Sequence, residues 1–156
     1  MTPAINTAKK HKIPFQTHQY THDPAHNSFG KEAAEKLGFP EEQVFKTLVV
    51  QLDGSNRLAV AIIPVSSILS MKLTAKAAEA KKAAMADKKI VERATGYILG
   101  GVSPLGQKKR LTTIIDASAN GFSTIYVSAG RRGLEIELQP ADLARITEAT
   151  FAQITQ

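Results

Sequence analysis

Apolar runs separated by polar, turn-forming segments divide this chain into short strands and short helices. Two of these runs flank the segment Asp53-Gly54-Ser55-Asn56, which predicts a β-hairpin of residues 44–52 and 57–64. The pattern predicts further strands over residues 15–21, 112–115, 123–128 and 134–138, and helices over residues 2–10, 31–37, 73–80, 88–93 and 140–146. Because strands and helices do not alternate strictly, we expect an α/β fold of the α+β kind, with a mixed, mostly antiparallel sheet and helices packed around it.

Length and composition limit the class of protein. A chain of 156 residues, 43% hydrophobic and 22% charged, fits one globular domain, and we expect residues 1–156 to form a single domain. No segment has the apolar length of a membrane span, and the N-terminus lacks the pattern of a signal peptide. The absence of cysteine excludes disulfides, thiolate metal sites and a thiol nucleophile supplied by the protein. We therefore expect a cytoplasmic protein without a membrane partner.

The net charge of +6 is concentrated in clusters of lysine and arginine. Clustered cations favour polyanions, because each phosphate contact releases condensed counterions. Two clusters are candidates for binding nucleic acid, one at Lys108, Lys109 and Arg110 and the other at Arg131 and Arg132. The alternative for any one cluster is a solvated basic surface. The sequence has no Trp and no aromatic signature of a known RNA-binding module.

Lys46 stands out in the first strand of the hairpin because its neighbours are apolar. Alternation puts Phe45 and Val49 on one face, and Lys46, Leu48 and Val50 on the other. An isolated buried ammonium is costly unless it has an anionic partner or lines a functional cavity. The alternative is a lysine at the strand entry whose stem reaches solvent. The pattern alone leaves both interpretations open.

A glycine-rich segment of residues 100–106 runs directly into the cationic residues 108–110. The adjacent Gly100 and Gly101 allow positive φ angles and a close approach of the backbone to a ligand. Exposed amides beside cations are suited to a phosphate or a substrate carbonyl. The spacing is not that of a P-loop, because no Lys-Ser or Lys-Thr follows Gly106. The alternative is a tight structural turn.

Metal and serine-triad chemistry have weak support in this sequence. His18 and His22 are four residues apart, but on a strand and a loop rather than on a helix, and there is no HExxH motif. We therefore expect hydrogen-bonding histidines, no metal and no cofactor. No Gly-x-Ser-x-Gly elbow is present either. Glu135 and Glu137 share one strand face, and for at least one of them we expect an exposed charged position.

Several short motifs follow one another in a definite order. They are Met1-Thr2-Pro3-Ala4, His18-Gln19-Tyr20-Thr21-His22-Asp23, Phe45-Lys46-Thr47-Leu48, Met85-Ala86-Asp87, Thr95-Gly96-Tyr97, Gly100-Gly101-Val102-Ser103-Pro104-Leu105-Gly106-Gln107-Lys108-Lys109-Arg110 and Ile125-Tyr126-Val127-Ser128. In this order they resemble the YbaK-type Cys-tRNA(Pro) deacylases, relatives of the editing domains inserted in bacterial prolyl-tRNA synthetases. The resemblance extends from Met1 to about Phe151, and residues 100–110 are its most specific part.

The resemblance implies a barrel-like central sheet and an enzyme that cleaves the ester of mischarged Cys-tRNA(Pro), and of Cys-tRNA(Cys) in addition. Lys46 matches the family's essential lysine, Tyr20 its pocket tyrosine and Gly101 the loop glycine that faces the scissile ester. Glu135 stands where family members often carry Asp. By the same resemblance, the substrate-binding positions are Gly100, Ser103, His18, Ser128 and Glu135.

The resemblance further implies that the substrate's own thiol attacks its ester and leaves as a cyclic thiolactone. The expected partners are tRNA and prolyl-tRNA synthetase, and the resemblance makes the cationic residues 108–110 and 131–132 the expected tRNA-binding positions. Two alternatives remain open at this point: an editing enzyme for another amino acid such as alanine, and a non-catalytic module that binds tRNA or the synthetase. The presence of Lys46 and the glycine loop argues against the second.

Overall fold

The computed structural model describes residues 1–26 and 28–156. The helices are α1 (Pro3–Lys10), α2 (Phe29–Leu37), α3 (Met71–Ala77), α4 (Lys88–Thr95) and α5 (Pro140–Thr147). The strands are β1 (Phe15–Gln19), β2 (Phe45–Leu52), β3 (Leu58–Pro64), β4 (Ala83–Met85), β5 (Thr112–Asp116), β6 (Ile125–Arg131), β7 (Leu134–Leu138) and β8 (Thr150–Ala152). A short 3-10 segment, Ala117–Gly121, follows β5.

The strands form two sheets that meet along one edge. The three-stranded sheet has the order β1-β7-β6, and the five-stranded sheet has the order β4-β2-β3-β5-β8. The edges of β6 and β2 approach at Val44 and Tyr126, where the Tyr126 amide donates to the carbonyl of Gln43 at 3.2 Å. Four strand pairs are antiparallel, while β3–β5 and β5–β8 are parallel. The predicted mixed, mostly antiparallel sheet is thus confirmed, although the described residues do not close it into a barrel.

Alternation along the strands decides which face of each sheet is buried. The main core lies between the sheets and combines the inward residues of β2, β3, β6 and β7 with the buried face of α1, which presents Ala4, Ile5 and Ala8. A second core forms on the other face of the five-stranded sheet, around Val50, Ile63 and Ile154. The opposite face of the three-stranded sheet is polar, and the functional candidates lie beside it.

Local signals set most of the helix ends. Thr2 accepts the amide of Ile5 at 3.2 Å, and Pro3 occupies the first turn of α1, as the sequence predicts. α4 ends at Gly96, which has a φ of 81°. α3 ends at Ala77, and Glu79 takes a left-handed φ of 58° after it.

The sequence pattern misses β4 and β8, and it misplaces the start of α2. β4 and β8 are edge strands of three residues, too short to show alternation. The amides of Lys81 and Lys82 both donate to Asp53 Oδ1 at 2.9 Å, and this anchors the chain beside β2. α2 begins at Phe29, two residues earlier than expected, because its first turn packs against other segments. No helix in the described residues is long and apolar enough to cross a membrane.

Candidate active site

Lys46, the second residue of β2, is a half-buried cation. Burial lowers the pKa of its ammonium group, and the nearby positive charge of Lys31 lowers it further. Within residues 1–26 and 28–156, no carboxylate forms an ion pair with Lys46. A desolvated cation of this kind favours an anionic or strongly polar ligand as its partner.

The first turn of α2 lies directly beside Lys46. A Cβ atom on Gly30 would lie 2.4 Å from Cγ1 of Val65 and 3.9 Å from Cβ of Lys46, so glycine permits this close packing. Phe29 lies on the other side of the turn, where the guanidinium of Arg132 stacks over its ring at 4.2 Å. The start of α2 therefore links Lys46 to the turn between β6 and β7.

Gly100 and Gly101 pack against that same turn. A Cβ on Gly101 would lie 2.8 Å from the Cα of Arg131, and one on Gly100 would lie 2.6 Å from Nε of Arg132. Gly100 also has a φ of 95°, a conformation that favours glycine. The Arg132 guanidinium donates to the Leu99 carbonyl at 2.9 Å, which further fixes the loop. Arg132 therefore has a structural partner, while Arg131 is exposed.

Tyr20 reaches the other side of the β6–β7 turn. Its amide donates to the carbonyl of Gly133 at 2.9 Å, and a Cβ on Gly133 would lie 2.7 Å from the Tyr20 carbonyl oxygen. Burial raises the pKa of the Tyr20 phenol to about 12, and the nearby charge of Glu135 contributes to the same shift. At physiological pH the phenol is thus neutral and able to donate a hydrogen bond.

Glu135 is buried, whereas the sequence pattern left open which of the two glutamates on this face would be exposed. It is 6% exposed, and burial raises the pKa of its carboxyl to about 8. Glu137, on the same face, is less buried, and it accepts hydrogen bonds from Thr124 at 2.6 Å and from His18 at 2.9 Å. The two glutamates of one strand therefore have different environments, and Glu135 has the character of a site carboxyl.

Three other candidates have protein partners. Nε2 of His18 lies 2.9 Å from Glu137, and its ring packs edge-on against Phe39 and Tyr126. Ser128 lies directly opposite Glu135 in the sheet, with its hydroxyl accepting the Gly130 amide at 3.2 Å. Ser103 is fully buried, and its hydroxyl accepts the amide of Leu105 at 3.2 Å.

A buried cluster around Glu32 has no counterpart among the sequence-based candidates. The Glu32 carboxylate is fully buried; it contacts Nδ1 of His22 at 2.6 Å, the Asp23 amide at 2.8 Å and Nζ of Lys36 at 3.0 Å. Burial alone would raise the pKa of Glu32, but these hydrogen bonds outweigh it and lower the pKa to about 2. The cluster ties the segment after Tyr20 to α2. Its signals in the sequence are the polar pair His22-Asp23 after β1 and the spacing of four residues between Glu32 and Lys36 on α2.

The cationic residues 108–110 lie at the far end of the glycine-rich segment. All three are exposed, and none of them contacts Lys46, Tyr20 or Glu135 through a hydrogen bond or ion pair among the described residues. The predicted tRNA-binding residues therefore form two groups: residues 108–110, and the Arg131–Arg132 turn beside the candidate active site. No group of three or more His, Cys, Asp or Glu with metal-binding geometry occurs in residues 1–26 and 28–156.

The fold and site together define a small α/β domain in which a cation, a glycine loop and a buried carboxyl surround the start of one helix. The aminoacyl-tRNA editing domain family matches residues 22–146 of this chain. The chain is also 39% identical over 154 residues to a candidate Cys-tRNA(Pro)/Cys-tRNA(Cys) deacylase, EbsC, from Enterococcus faecalis, covering 99% of this chain and 93% of that protein. The chain therefore belongs to the aminoacyl-tRNA editing domain family.

One further relative is similar in sequence, and two solved structures are similar in fold. The uncharacterized protein YwhH of Bacillus subtilis is 27% identical over 124 residues, which is 80% of this chain and 76% of that protein. The crystal structure of a candidate trans-editing enzyme for prolyl-tRNA synthetase superimposes with a TM-score of 0.82 at 19% identity, covering 99% of this chain and 95% of that one. The hypothetical protein APE2540 gives a TM-score of 0.87 at 24% identity, covering 99% of both chains. At these identities the two structures establish the fold alone.

Proposed function

We propose that this chain is a trans-editing deacylase of one domain, residues 1–156, that cleaves the ester bond of mischarged Cys-tRNA(Pro) and also of Cys-tRNA(Cys). The observation that carries the proposal is the desolvated Lys46 beside the start of α2, close to the Gly100–Gly101 loop. The family membership of the chain and the name of its relative EbsC support the same activity.

Each site group has a role in holding the aminoacyl end of the tRNA. Lys46 binds the terminal ribose-phosphate, since its ammonium has no carboxylate partner among the described residues. The Gly100–Gly101 loop lines the position of the ester carbonyl, while the Gly101 amide itself donates to the Ile98 carbonyl at 2.9 Å and keeps the loop in shape. The neutral phenol of Tyr20 donates a hydrogen bond to the substrate. Glu135 accepts the amino group of the substrate, because an entering ammonium favours ionisation of this buried carboxyl.

The nucleophile in this proposal belongs to the substrate. The cysteine sulfur attacks its own ester carbonyl, so that a carbon–sulfur bond forms and the carbon–oxygen bond to the ribose breaks. The thiol proton ends on the departing ribose hydroxyl, and the products are a cyclic thiolactone and free tRNA. The protein contributes position and electrostatic stabilisation, which agrees with a chain that contains no cysteine.

The test compares two nearly isosteric amino acids on one tRNA. We expect the protein to cleave Cys-tRNA(Pro) and to spare Ser-tRNA(Pro) by a wide margin, because a serine hydroxyl is far less ionised and less nucleophilic near neutral pH. The measurement is the single-turnover deacylation rate of each species under matched conditions, with Ala-tRNA(Pro) as a third substrate.

Each substrate contradicts a different part of the proposal. Equal rates for the Cys and Ser forms would indicate that an activated water, not the substrate thiol, is the nucleophile. Tyr20, His18 and Glu135 would then be the candidates for proton transfer. Preferential cleavage of the Ala form would assign the enzyme to another amino acid. Binding of tRNA without cleavage of any form would leave a non-catalytic module.

The proposed activity also defines the partner and the compartment. Cys-tRNA(Pro) is a product of prolyl-tRNA synthetase, so an enzyme that acts on it in trans works beside that synthetase in the cytoplasm. Co-sedimentation of the protein with the synthetase, with and without tRNA(Pro), measures whether a ternary complex forms. A complex that forms only with tRNA present would assign the tRNA as the bridge.

A further inference from the structure

A basic cleft lies outside the candidate active site. It has a volume of about 350 Å³, within the range of about 300–1,000 Å³ that is typical of ligand sites. Its walls are the second half of α1, the segment that follows Pro104 and the last turn of α5. Neither Lys46, Tyr20, Gly101 nor Glu135 lines it.

The lining of this cleft is strongly one-sided in charge. It includes Lys10, Lys108, Lys109 and Arg110, and no described carboxylate lines it. Arg110 is partly neutralised by Glu148, with 3.3 Å between Nη1 and Oε2, but Lys10, Lys108 and Lys109 have no ion-pair partner in the described part of the chain. Uncompensated cations that converge on one cleft raise the local concentration of anions.

The backbone that carries these cations is fixed. The amides of Lys108 and Lys109 donate to the carbonyls of Thr95 and Ala94 at 2.9 and 3.1 Å. Gly106 packs so closely on α1 that a Cβ there would lie 2.6 Å from the Pro3 carbonyl oxygen. The ammonium groups thus extend from a preformed frame, and this reduces the entropy lost when they bind an anion.

The same segment connects the cleft to the candidate active site. Lys108 follows Gly101 by seven positions, so the two lie at most about 25 Å apart even if the chain between them were extended. Neither Phe, Tyr nor Trp lines the cleft. His11 is the one aromatic ring among its described lining residues, so the chemistry of the cleft suits backbone phosphates better than a row of stacked bases.

We propose that this cleft is a second RNA-binding site, which holds backbone phosphates of the double-helical acceptor stem while the aminoacyl end occupies the site at Lys46. The inference rests on the proposed function, because it takes the substrate to be a tRNA. In this proposal the cleft supplies affinity for RNA and the Lys46 site cleaves the ester, so the two functions can be tested separately.

The decisive comparison is between two double variants with the same loss of charge. Lys108→Ala/Lys109→Ala alters the cleft, whereas Lys81→Ala/Lys82→Ala removes an exposed lysine pair that lies outside it. In both pairs the backbone amides, not the side chains, make the local hydrogen bonds, so both variants are expected to fold. Thermal melting checks that they do.

Affinity is measured with uncharged tRNA(Pro) and with a short RNA hairpin, across a series of salt concentrations. We expect the cleft variant to bind both RNAs on the order of tenfold more weakly near physiological ionic strength. Its slope of log K against log salt should fall by about two, about one per lysine. The control variant should retain the affinity and slope of the wild type.

Activity is measured on full-length Cys-tRNA(Pro) and on the cysteinyl ester of a CCA trinucleotide, which is too short to reach the cleft. We expect the cleft variant to lose apparent affinity for the tRNA and to cleave the short ester at the wild-type rate. If the wild type cleaves neither ester, the proposed function fails, and the binding comparison still decides the cleft.

Four results would overturn the proposal. The first is an unchanged RNA affinity in the cleft variant, and the second is an equal loss of RNA affinity in the cleft and control variants. The third is that inorganic phosphate binds at the cleft without weakening RNA binding. The fourth is that the cleft variant loses its binding to prolyl-tRNA synthetase but keeps its affinity for RNA. The second would indicate net charge rather than a site, the third a site for small anions, and the fourth a protein interface.

Discussion

At the scale of single residues, the environment of each cation separates the two basic regions. Lys46 is half-buried, and both burial and the charge of Lys31 lower its pKa. Lys108 and Lys109 are exposed. A desolvated cation forms a stronger and more directional interaction than a solvated one, so Lys46 is suited to positioning and the exposed lysines to affinity.

Replacement of Lys46 tests this assignment. We expect Lys46→Met to reduce the single-turnover deacylation rate on the order of 100-fold, because one preorganised charge at the reacting group is removed. Stability should change by less than about 0.5 kcal/mol, since no ion pair is lost among the described residues and the apolar stem is kept.

The matched control is Lys72→Met, at an exposed lysine of α3. It should leave both the rate and the urea midpoint at their wild-type values. A Lys46→Met enzyme that retains activity within a few-fold of the wild type would remove this lysine from the site.

The strand pattern identified Lys46 as unusual, but it could not rank the two glutamates of β7. Alternation places Glu135 and Glu137 on the same face, whereas only Glu135 is below a tenth exposed. The difference arises from neighbours supplied by other parts of the chain. Burial depends on which elements pack on a face, and period-two alternation contains no information about them.

At the scale of elements, the site depends on the contact between a loop and a turn. The Gly100–Gly101 loop rests on the Arg131–Arg132 turn so closely that a methyl group at Gly101 would lie 2.8 Å from a backbone atom. Backbone cannot rotate out of the way as a side chain can. The contact therefore fixes the distance between the loop and the turn.

We expect Gly101→Ala to push the loop and turn apart, at a cost of about 1–3 kcal/mol, with loss of deacylation. The control is Gly121→Ala, in the 3-10 segment, where a Cβ would meet nothing within 4 Å. Urea unfolding measures the stability, and rates on Cys-tRNA(Pro) measure the activity. If Gly101→Ala behaved like Gly121→Ala in both measurements, close packing at this loop would have no role in the site.

The sequence predicted the longer elements better than those that depend on tertiary contacts. The hairpin of β2 and β3 forms where it was predicted because its turn residues and apolar runs agree. The early start of α2 has a different origin, since Phe29 stacks with Arg132 and Gly30 packs on Val65. Contacts between segments so distant in the chain leave no periodic signal.

At the scale of the whole molecule, two buried glutamates give opposite contributions to stability against pH. The folded pKa of Glu32, about 2, lies below its ordinary value of 4.5, so its contribution is full above pH 4.5 and is lost as the pH falls toward 2. The folded pKa of Glu135 is raised to about 8, so stability falls as the pH rises from 4.5 to about 8. Together they favour a stability maximum in mild acid.

Two variants separate these contributions. Glu32→Gln should be less stable than the wild type above pH 4.5, and the difference in stability should shrink as the pH falls toward 2. Glu135→Gln should match the wild type near pH 4.5 and become the more stable of the two as the pH approaches 8. Urea unfolding across this range measures both. Parallel pH profiles for all three proteins would contradict the assignment of these carboxyls.

The junction of Phe29, Gly100 and Arg132 also has a consequence for how the protein becomes active. These residues come from three segments that are far apart in the sequence, and the last of them lies in the β6–β7 turn. Contacts of such high sequence separation form late, because the entropy of closing the intervening loops must be overcome first. A growing chain on the ribosome therefore has no partial site: the proposed deacylation requires that the β6–β7 turn has emerged and docked, so activity reports folding of the chain at least as far as β7.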